Sequence, residues 1–420
     1  MPDMQVRILG DNIVARNLVD RKFKTMRISF NMLMPLTEEY AAVYAVLPTM
    51  VSRVTKKYPD YTALSRYLSA LYGASLSASI SKVGDNQLLS VAVSGISNKY
   101  ALEGENIAGE LTTLMCSALF DPYLDEDGMF PEESFRQEKR QLLETIEANF
   151  NDKKLYAKQR CTEIFYEGEP AAISHYGTKE SLAVLKREEL LDAWKKVLRE
   201  SRIEILVLGD CDFAAVCRNV SAKLNFNRSP LDLHNKIVLK SDKVREVIEP
   251  MKLAQSKLVM GFRAGVTPED SAATKVMSVL FGGSPSSKLF LNVREKMSLC
   301  YYCSARFSEI KGTIFVESGV ETANIEKARE AIVAQLEDIK EGKFTEEELQ
   351  FAKLAMINSY KSVGDSLYSL EGWYIGQLFA IDTVTPEAMA DAVNDITRID
   401  VINAARKVTL DTVYVLKGEA

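Results

Sequence analysis

Histidine is nearly absent from this 420-residue sequence. The two present, His175 and His234, stand too far apart to share one helical face. A metal site made from two imidazoles one helical turn apart is therefore not expected. Cysteine is scarce as well: Cys116, Cys161, Cys211, Cys217, Cys300 and Cys303 are too few for a disulfide framework at this length. A reducing, cytoplasmic setting is expected. No apolar run reaches the length of a membrane span. The N-terminus, Met1-Pro2-Asp3-Met4-Gln5-Val6-Arg7, has no apolar core behind its charges and does not read as a signal peptide. Basic residues are not in excess. The 52 Lys and Arg face 58 Asp and Glu, and the net charge of -6 argues against nucleic acid or an anionic membrane as a partner. G-x-S-x-G, phosphate-binding and dinucleotide-binding motifs are missing, as is any Cys-His pairing.

What is there is a soluble, globular composition, 47% hydrophobic and 26% charged, at a length that suits two domains or one duplicated unit. Duplication is legible. A helical stretch from Arg187 to Leu198 leads into the strand Ile203 to Leu208, closed by Gly209. A second, from Arg398 to Val408, leads into Val413 to Leu416, closed by Lys417-Gly418. The two beginnings match in the same way. Ile28 to Met32 runs into Leu36-Thr37-Glu38-Glu39 and a helix. Leu258 to Phe262 runs into Val266-Thr267-Pro268-Glu269-Asp270 and another. Thr267 is suited to cap that helix, with Pro268 in its first position and Asp270 completing a reciprocal cap. A repeat near half the chain length implies two copies of one unit. The expected division is 1–225, a polar linker over 226–250 that carries Pro230, His234 and Pro250, and 251–420.

Further elements follow from periodicity. Asn324 to Glu341 carries Ile325, Ala328, Ile332, Leu336 and Ile339 on one stripe and stops at Gly342. Thr345-Glu346-Glu347-Glu348 is a capping box. Thr62 to Tyr72 and Phe135 to Phe150 are helical, and Gln87 to Val93 and Thr313 to Val320 read as strands. Long helices mixed with strands predict an α+β fold: two similar halves, each a mostly antiparallel sheet covered by helices. Cys300-Tyr301-Tyr302-Cys303 is formally C-x-x-C. In an extended strand, positions three apart point to opposite faces, so two free, half-buried thiols are expected rather than a redox or zinc pair.

Two segments carry a family resemblance. Gly282-Gly283-Ser284-Pro285-Ser286-Ser287-Lys288-Leu289-Phe290 and Arg294-Glu295-Lys296-Met297-Ser298-Leu299-Cys300-Tyr301-Tyr302 resemble the substrate-gripping segments of the M16 (pitrilysin, insulinase) metallopeptidases. The resemblance runs over nearly the whole chain. Within the two-subunit branch of the family it is nearest to bacterial YmfF-like chains. The family implies two α+β halves that close like a clamshell on an unfolded peptide. In the two-subunit branch one chain supplies zinc through an HxxEH motif, and a sister chain supplies arginine and tyrosine.

The zinc half is degenerate here. Ala45 and Thr49 fall near the histidine positions and Pro48 near the glutamate. Alanine has no donor atom, a hydroxyl is a poor zinc ligand, and proline removes the general base and is expected to kink the helix, at roughly 3 kcal/mol. Glu144 or Glu138 stands where a third ligand is expected, but neither holds zinc alone, and a solvated helix charge is the simpler reading of both. No cofactor is expected in this chain; zinc is expected in a partner.

The resemblance assigns Arg294 and Tyr301 to the partner's reaction, as donors to the oxyanion that forms on the peptide carbonyl. Gly282, Gly283, Ser284 and Tyr302 are the candidate substrate contacts. The plainer alternatives are that Arg294 pairs with Glu295 on the surface, that Tyr301 is packed core, and that the glycines form an ordinary turn. The expected function is therefore a non-catalytic subunit, inactive alone, that joins an HxxEH-bearing M16 sister to hydrolyse peptides or unfolded chains. A peptide-binding or scaffold protein of the same fold with no proteolytic role is the competing reading.

Overall fold

A computed structural model describes residues 4–380 and 382–419. The chain forms two compact units: Met1–Glu147 with Ile173–His234, and Ala148–Ala172 with Asn235–Ala420.

The first unit holds β1 (Gln5–Gly10), β2 (Ile13–Leu18), β3 (Thr25–Pro35), α1 (Glu38–Ser52), α2 (Tyr61–Ala70), β4 (Ser75–Val83), β5 (Asn86–Ile96), α3 (Ile107–Phe120) and most of α4 (Glu132–Asn151). After α5 (Lys153–Phe165), which belongs to the other unit, it continues with α6 (Lys179–Val184), α7 (Glu188–Glu200), β6 (Arg202–Leu208) and α8 (Phe213–Ser221). The strands make one sheet in the order β1-β2-β6-β3-β5-β4, antiparallel except for the β2/β6 pair. One face of β3, through Met26, Ile28, Phe30 and Met32, joins Leu47, Leu111, Trp194 and Ile205 in the core. The opposite face carries Ser29, Asn31 and Ser90, linked by hydrogen bonds. Side-chain caps set the helix starts. Thr37 accepts from the Tyr40 amide and Asp60 from the Ala63 amide. The turn after α2 needs positive φ at Tyr72 and at Gly73.

The second unit holds β7 (Arg245–Lys252), β8 (Ser256–Arg263), α9 (Ala272–Ser278), β9 (Cys300–Ser308), β10 (Thr313–Val320), α10 (Ile325–Lys340), α11 (Glu346–Val363), α12 (Leu367–Ile375), α13 (Pro386–Asp395), α14 (Arg398–Lys407) and β11 (Thr409–Glu419). Its sheet runs β7-β11-β8-β10-β9, antiparallel except for β7/β11. Two π-helical turns, Val279–Gly283 and Leu289–Lys296, lead from α9 into β9. Both faces of this sheet are covered. Leu258, Met260, Phe262, Ile314 and Val316 join the large core with Ile332, Leu336 and Val401. Val259, Phe315, Tyr414 and Leu416 pack on the other side against Ala157, Cys161 and Phe165 of α5. A buried ionic cluster ties that layer down. Arg263 binds Asp411 at 2.9 Å and Glu169 at 3.4 Å, and Lys311 binds Glu169 at 2.9 Å.

Several expectations change. Residues 148–172 sit with the C-terminal unit because the apolar side of α5 needs the β8/β10/β11 face. The stretch 226–250 is not all linker, since its last residues start β7. Thr267 makes no side-chain cap; Pro268–Asp270 form a 3₁₀ turn, and α9 begins only at Ala272. There the Ser271 hydroxyl donates to the Pro268 carbonyl at 2.7 Å. β11 does not close at Lys417-Gly418 but pairs with β7 to Glu419. α1 continues one turn past Pro48 to Ser52, its buried residues on both sides of the proline holding it in the core. Among the described residues, no helix is long and apolar enough to cross a membrane.

Candidate functional site

The π-helical turn Leu289–Lys296 buries Leu289 and Val293 in the core, which leaves Arg294 at its surface. Ser298, at φ +52°, then reverses the chain into β9. The return brings Arg294 and Tyr301 together. Arg294 Nε donates to the Tyr301 carbonyl oxygen at 3.0 Å, and one Nη contacts Glu295 at 3.1 Å. The guanidinium also lies 4.5 Å from the Phe290 ring centroid. Tyr301 is not core: it is 61% exposed, its hydroxyl 3.5 Å from Glu321. Arg294, Glu295, Ser298, Leu299, Cys300, Tyr301, Glu321 and Asn324 line an open pocket of about 430 Å³. It offers a guanidinium and a phenol, both hydrogen-bond donors, flanked by two carboxylates. The Glu295 contact is the surface pairing that the sequence left open; core packing of Tyr301 is not found.

Strand parity fails at Tyr301. In the β9/β10 register Tyr302 faces Gly319 and Cys300 faces Val320, so Tyr301 is an unpaired, bulged residue. The extra residue reverses the alternation. Cys300 and Cys303 therefore lie on the same face, both buried, instead of on opposite faces. Ser318 stands opposite Cys303 in the ladder and donates its hydroxyl to the Tyr302 carbonyl at 3.0 Å.

Tyr302 turns to the sheet's other face. Its ring lies 4.5 Å from Lys154 Nζ on α5 and covers Gly319, where an added Cβ would fall 2.5 Å from a ring carbon. It does not line the Arg294 pocket. Gly282 and Gly283 end the π-helical turn after α9. A Cβ on Gly282 would stand 2.6 Å from the Ala305 nitrogen and 2.7 Å from both Ala305 Cβ and Leu289 Cδ1. Close approach of that turn to β9 explains this glycine. Gly282, Gly283 and Ser284 line a second pocket, of 470 Å³, with Pro285, Ser304 and Arg306.

The degenerate zinc positions are in the other unit. Ala45 and Pro48 are buried on α1, and Thr49 opens onto a 790 Å³ cleft beside α2, α4 and edge strand β4. The arrangement does not fit zinc. Arg53, four residues after Thr49, places its guanidinium on Glu138 and Gln137. A cation holds the one buried carboxylate nearby. Burial pushes the Glu138 carboxyl up, and the Arg53 charge opposes the shift. Glu144 is exposed and pairs with Arg140 at 3.7 Å. His175 is held neutral by burial and then by Lys82, down to about 4, and exposed His234 pairs with Asp232 at 3.0 Å. Among the described residues, no three of His, Cys, Asp and Glu converge as a metal site requires. The sequence reading missed Arg53. The i, i+4 spacing from Thr49 was the available signal.

Residues 185–356 match the family described as Peptidase M16 inactive domain. The chain is 31% identical over 409 residues to "Probable inactive metalloprotease YmfF" of Bacillus subtilis (strain 168), covering 97% of this chain and 96% of that one. It is 24% identical over 238 residues to "Non-peptidase homolog YmxG" of Helicobacter pylori, covering 55% and 54%. A solved structure of a conserved protein from Enterococcus faecalis V583 superposes with a TM-score of 0.90 at 26% identity, covering 99% of each chain.

Proposed function

This chain belongs to the peptidase M16 family, and from that premise we propose that it is a non-catalytic subunit that lends Arg294 and Tyr301 to an HxxEH-bearing M16 partner. The zinc is the partner's. The observation that carries the reading is the placing of a guanidinium and an exposed phenol around one open pocket. Donors held in advance of the reaction favour the state in which a carbonyl oxygen becomes negative. Arg294 spends one N–H on the Tyr301 carbonyl and so fixes the tyrosine's backbone. Its Nη2 makes no hydrogen bond among the described residues and remains to meet substrate. β9 ends its sheet, which supports an extended peptide as substrate, pairing along the strand's outer edge through main-chain hydrogen bonds.

The absence of donor atoms at Ala45 and Pro48, together with the Arg53–Glu138 pair, supports a chain that hydrolyses nothing by itself. The Arg294–Glu295 contact favours the second reading, a peptide-binding or scaffold protein of M16 fold with no proteolytic role. The two readings separate in a reconstituted pair with the HxxEH partner, assayed on a quenched peptide. Arg294→Ala is expected to lower turnover on the order of 10²-fold or more, and Tyr301→Phe by a smaller factor, with peptide affinity less affected. Unchanged turnover in both variants, or no turnover by any pairing, rejects the first reading.

A further inference from the structure

We propose that Cys300 and Cys303 form a thiol–disulfide exchange site, with Cys300 the attacking thiol, Cys303 the resolving thiol and a low-molecular-weight disulfide the oxidant. The geometry comes from the bulge at Tyr301. An unbulged strand would put these side chains on opposite faces, where they could never react. The bulge puts them on one face of the strand, both against the same core. They also differ in access. Cys300, 9% exposed, lines the open 430 Å³ pocket, and Cys303, 3% exposed, lines the 470 Å³ pocket beside Gly282. The greater access at Cys300 makes it the entering thiol and Cys303 the resolving one, the division of labour that exchange requires.

The electrostatics agree. The neighbouring Cys303 thiol is the main cause that brings the Cys300 thiol down to about 7, helped by Ser318 and the Arg294 charge against the effect of burial. The same pairing, with burial, pushes Cys303 well up. Burial also pushes up Cys116, Cys161, Cys211 and Cys217. Cys300 is thus set apart from every other thiol in the chain by its ionisation, while Cys211 is the more exposed.

The step balances as follows. The Cys300 thiolate attacks one sulfur of RS–SR, the S–S bond breaks, and RS⁻ leaves with the electron pair. Cys303 gives up its proton and attacks the Cys300 sulfur of the mixed disulfide, expelling the second RS⁻. The protein loses two electrons and two protons and gains the Cys300–Cys303 bond; the oxidant leaves as two RSH. The new bond spans Tyr301 and closes a ring through the residue whose carbonyl Arg294 holds. The site stands without the partner-assisted reading, since its chemistry needs no second chain.

The test uses the full-length protein. At neutral pH, limiting iodoacetamide followed by peptide mass spectrometry is expected to label Cys300 about tenfold or more faster than Cys211 or Cys217. Oxidised glutathione is expected to give an internal Cys300–Cys303 disulfide in the natural protein and a stable glutathione adduct on Cys300 in Cys303→Ser. Equal labelling of Cys300 and Cys211 overturns the proposal, as does a natural protein that ends as a glutathione adduct with no internal disulfide. The first measurement and the last need no variant, so misfolding of Cys303→Ser cannot shelter the idea.

Discussion

Gly282→Ala discriminates between two accounts of the Gly-Gly-Ser loop by the sign of its effect. Gly282 lies in a helical turn and is absent from the residues with positive φ. If its role were flexibility, alanine would suit the backbone and raise stability by about 0.5–1 kcal/mol. The structure opposes that gain. The added Cβ meets a backbone nitrogen at 2.6 Å and two carbons at 2.7 Å, all inside van der Waals contact. One of the three belongs to the backbone of β9 and cannot swing aside. Overpacking of this kind costs roughly 1–3 kcal/mol or more, so the sum is a net loss of about 1–2 kcal/mol. In a unit of about 200 residues that lowers the melting temperature by about 3–6 °C. Thermal unfolding of the natural protein and the variant, each followed by intrinsic fluorescence, measures it. Gly283→Ala is the control: its nearest contacts are 3.3 Å, and it should change little. A melting temperature that is unchanged or higher in Gly282→Ala would refute the close-packing account.

The buried carboxylate Asp411 should matter more. Asp411→Ala takes the nearer carboxylate from buried Arg263, leaving it Glu169 at 3.4 Å, and also the nearer one from Arg245; it is expected to cost about 3–5 kcal/mol in urea unfolding. Burial tends to raise the Asp411 carboxyl, but bonds from Thr412, Arg263 and Arg245 outweigh it and hold it below the usual range. A depressed folded-state value gives stability that is full above the unfolded value of about 3.9 and is lost as pH falls through the folded one. Stability measured from pH 5 downward should therefore drop less steeply in Asp411→Asn than in the natural protein. Thr345→Ala removes the acceptor of the α11 capping box and should cost about 1 kcal/mol, with Thr345→Ser restoring most of it.

Sequence periodicity reached far into this fold because most elements obey local rules. The Thr345 box, the Gly342 stop and β10 all lie where propensity and spacing put them. The departures have nonlocal causes. Nothing in the residues of α5 says which sheet will take its apolar side. A strand's alternation was taken as unbroken through Tyr301, and one unpaired residue was enough to exchange the faces of Cys300 and Cys303. Gly282 read as a substrate contact or an ordinary turn because contact with Ala305, which follows it by more than twenty positions, is invisible along the chain. The meeting of Arg294 with Tyr301 was legible as a resemblance. That Arg294 reaches Tyr301 by its carbonyl was not, whereas its pairing with Glu295 was among the readings the sequence left open.

The segment Ala148–Ala172 has a practical meaning for anyone who wishes to separate the duplicated halves. Severing the polypeptide at the midpoint of its length leaves α5 on the wrong fragment. The C-terminal piece would then present Val259, Phe315, Tyr414 and Leu416 to water, an oily plate with nothing over it. Such a piece would clump unless α5 were supplied as a separate peptide or grafted ahead of β7. Each unit is assembled from two separate stretches of the chain, so no single scissor cut releases either one whole.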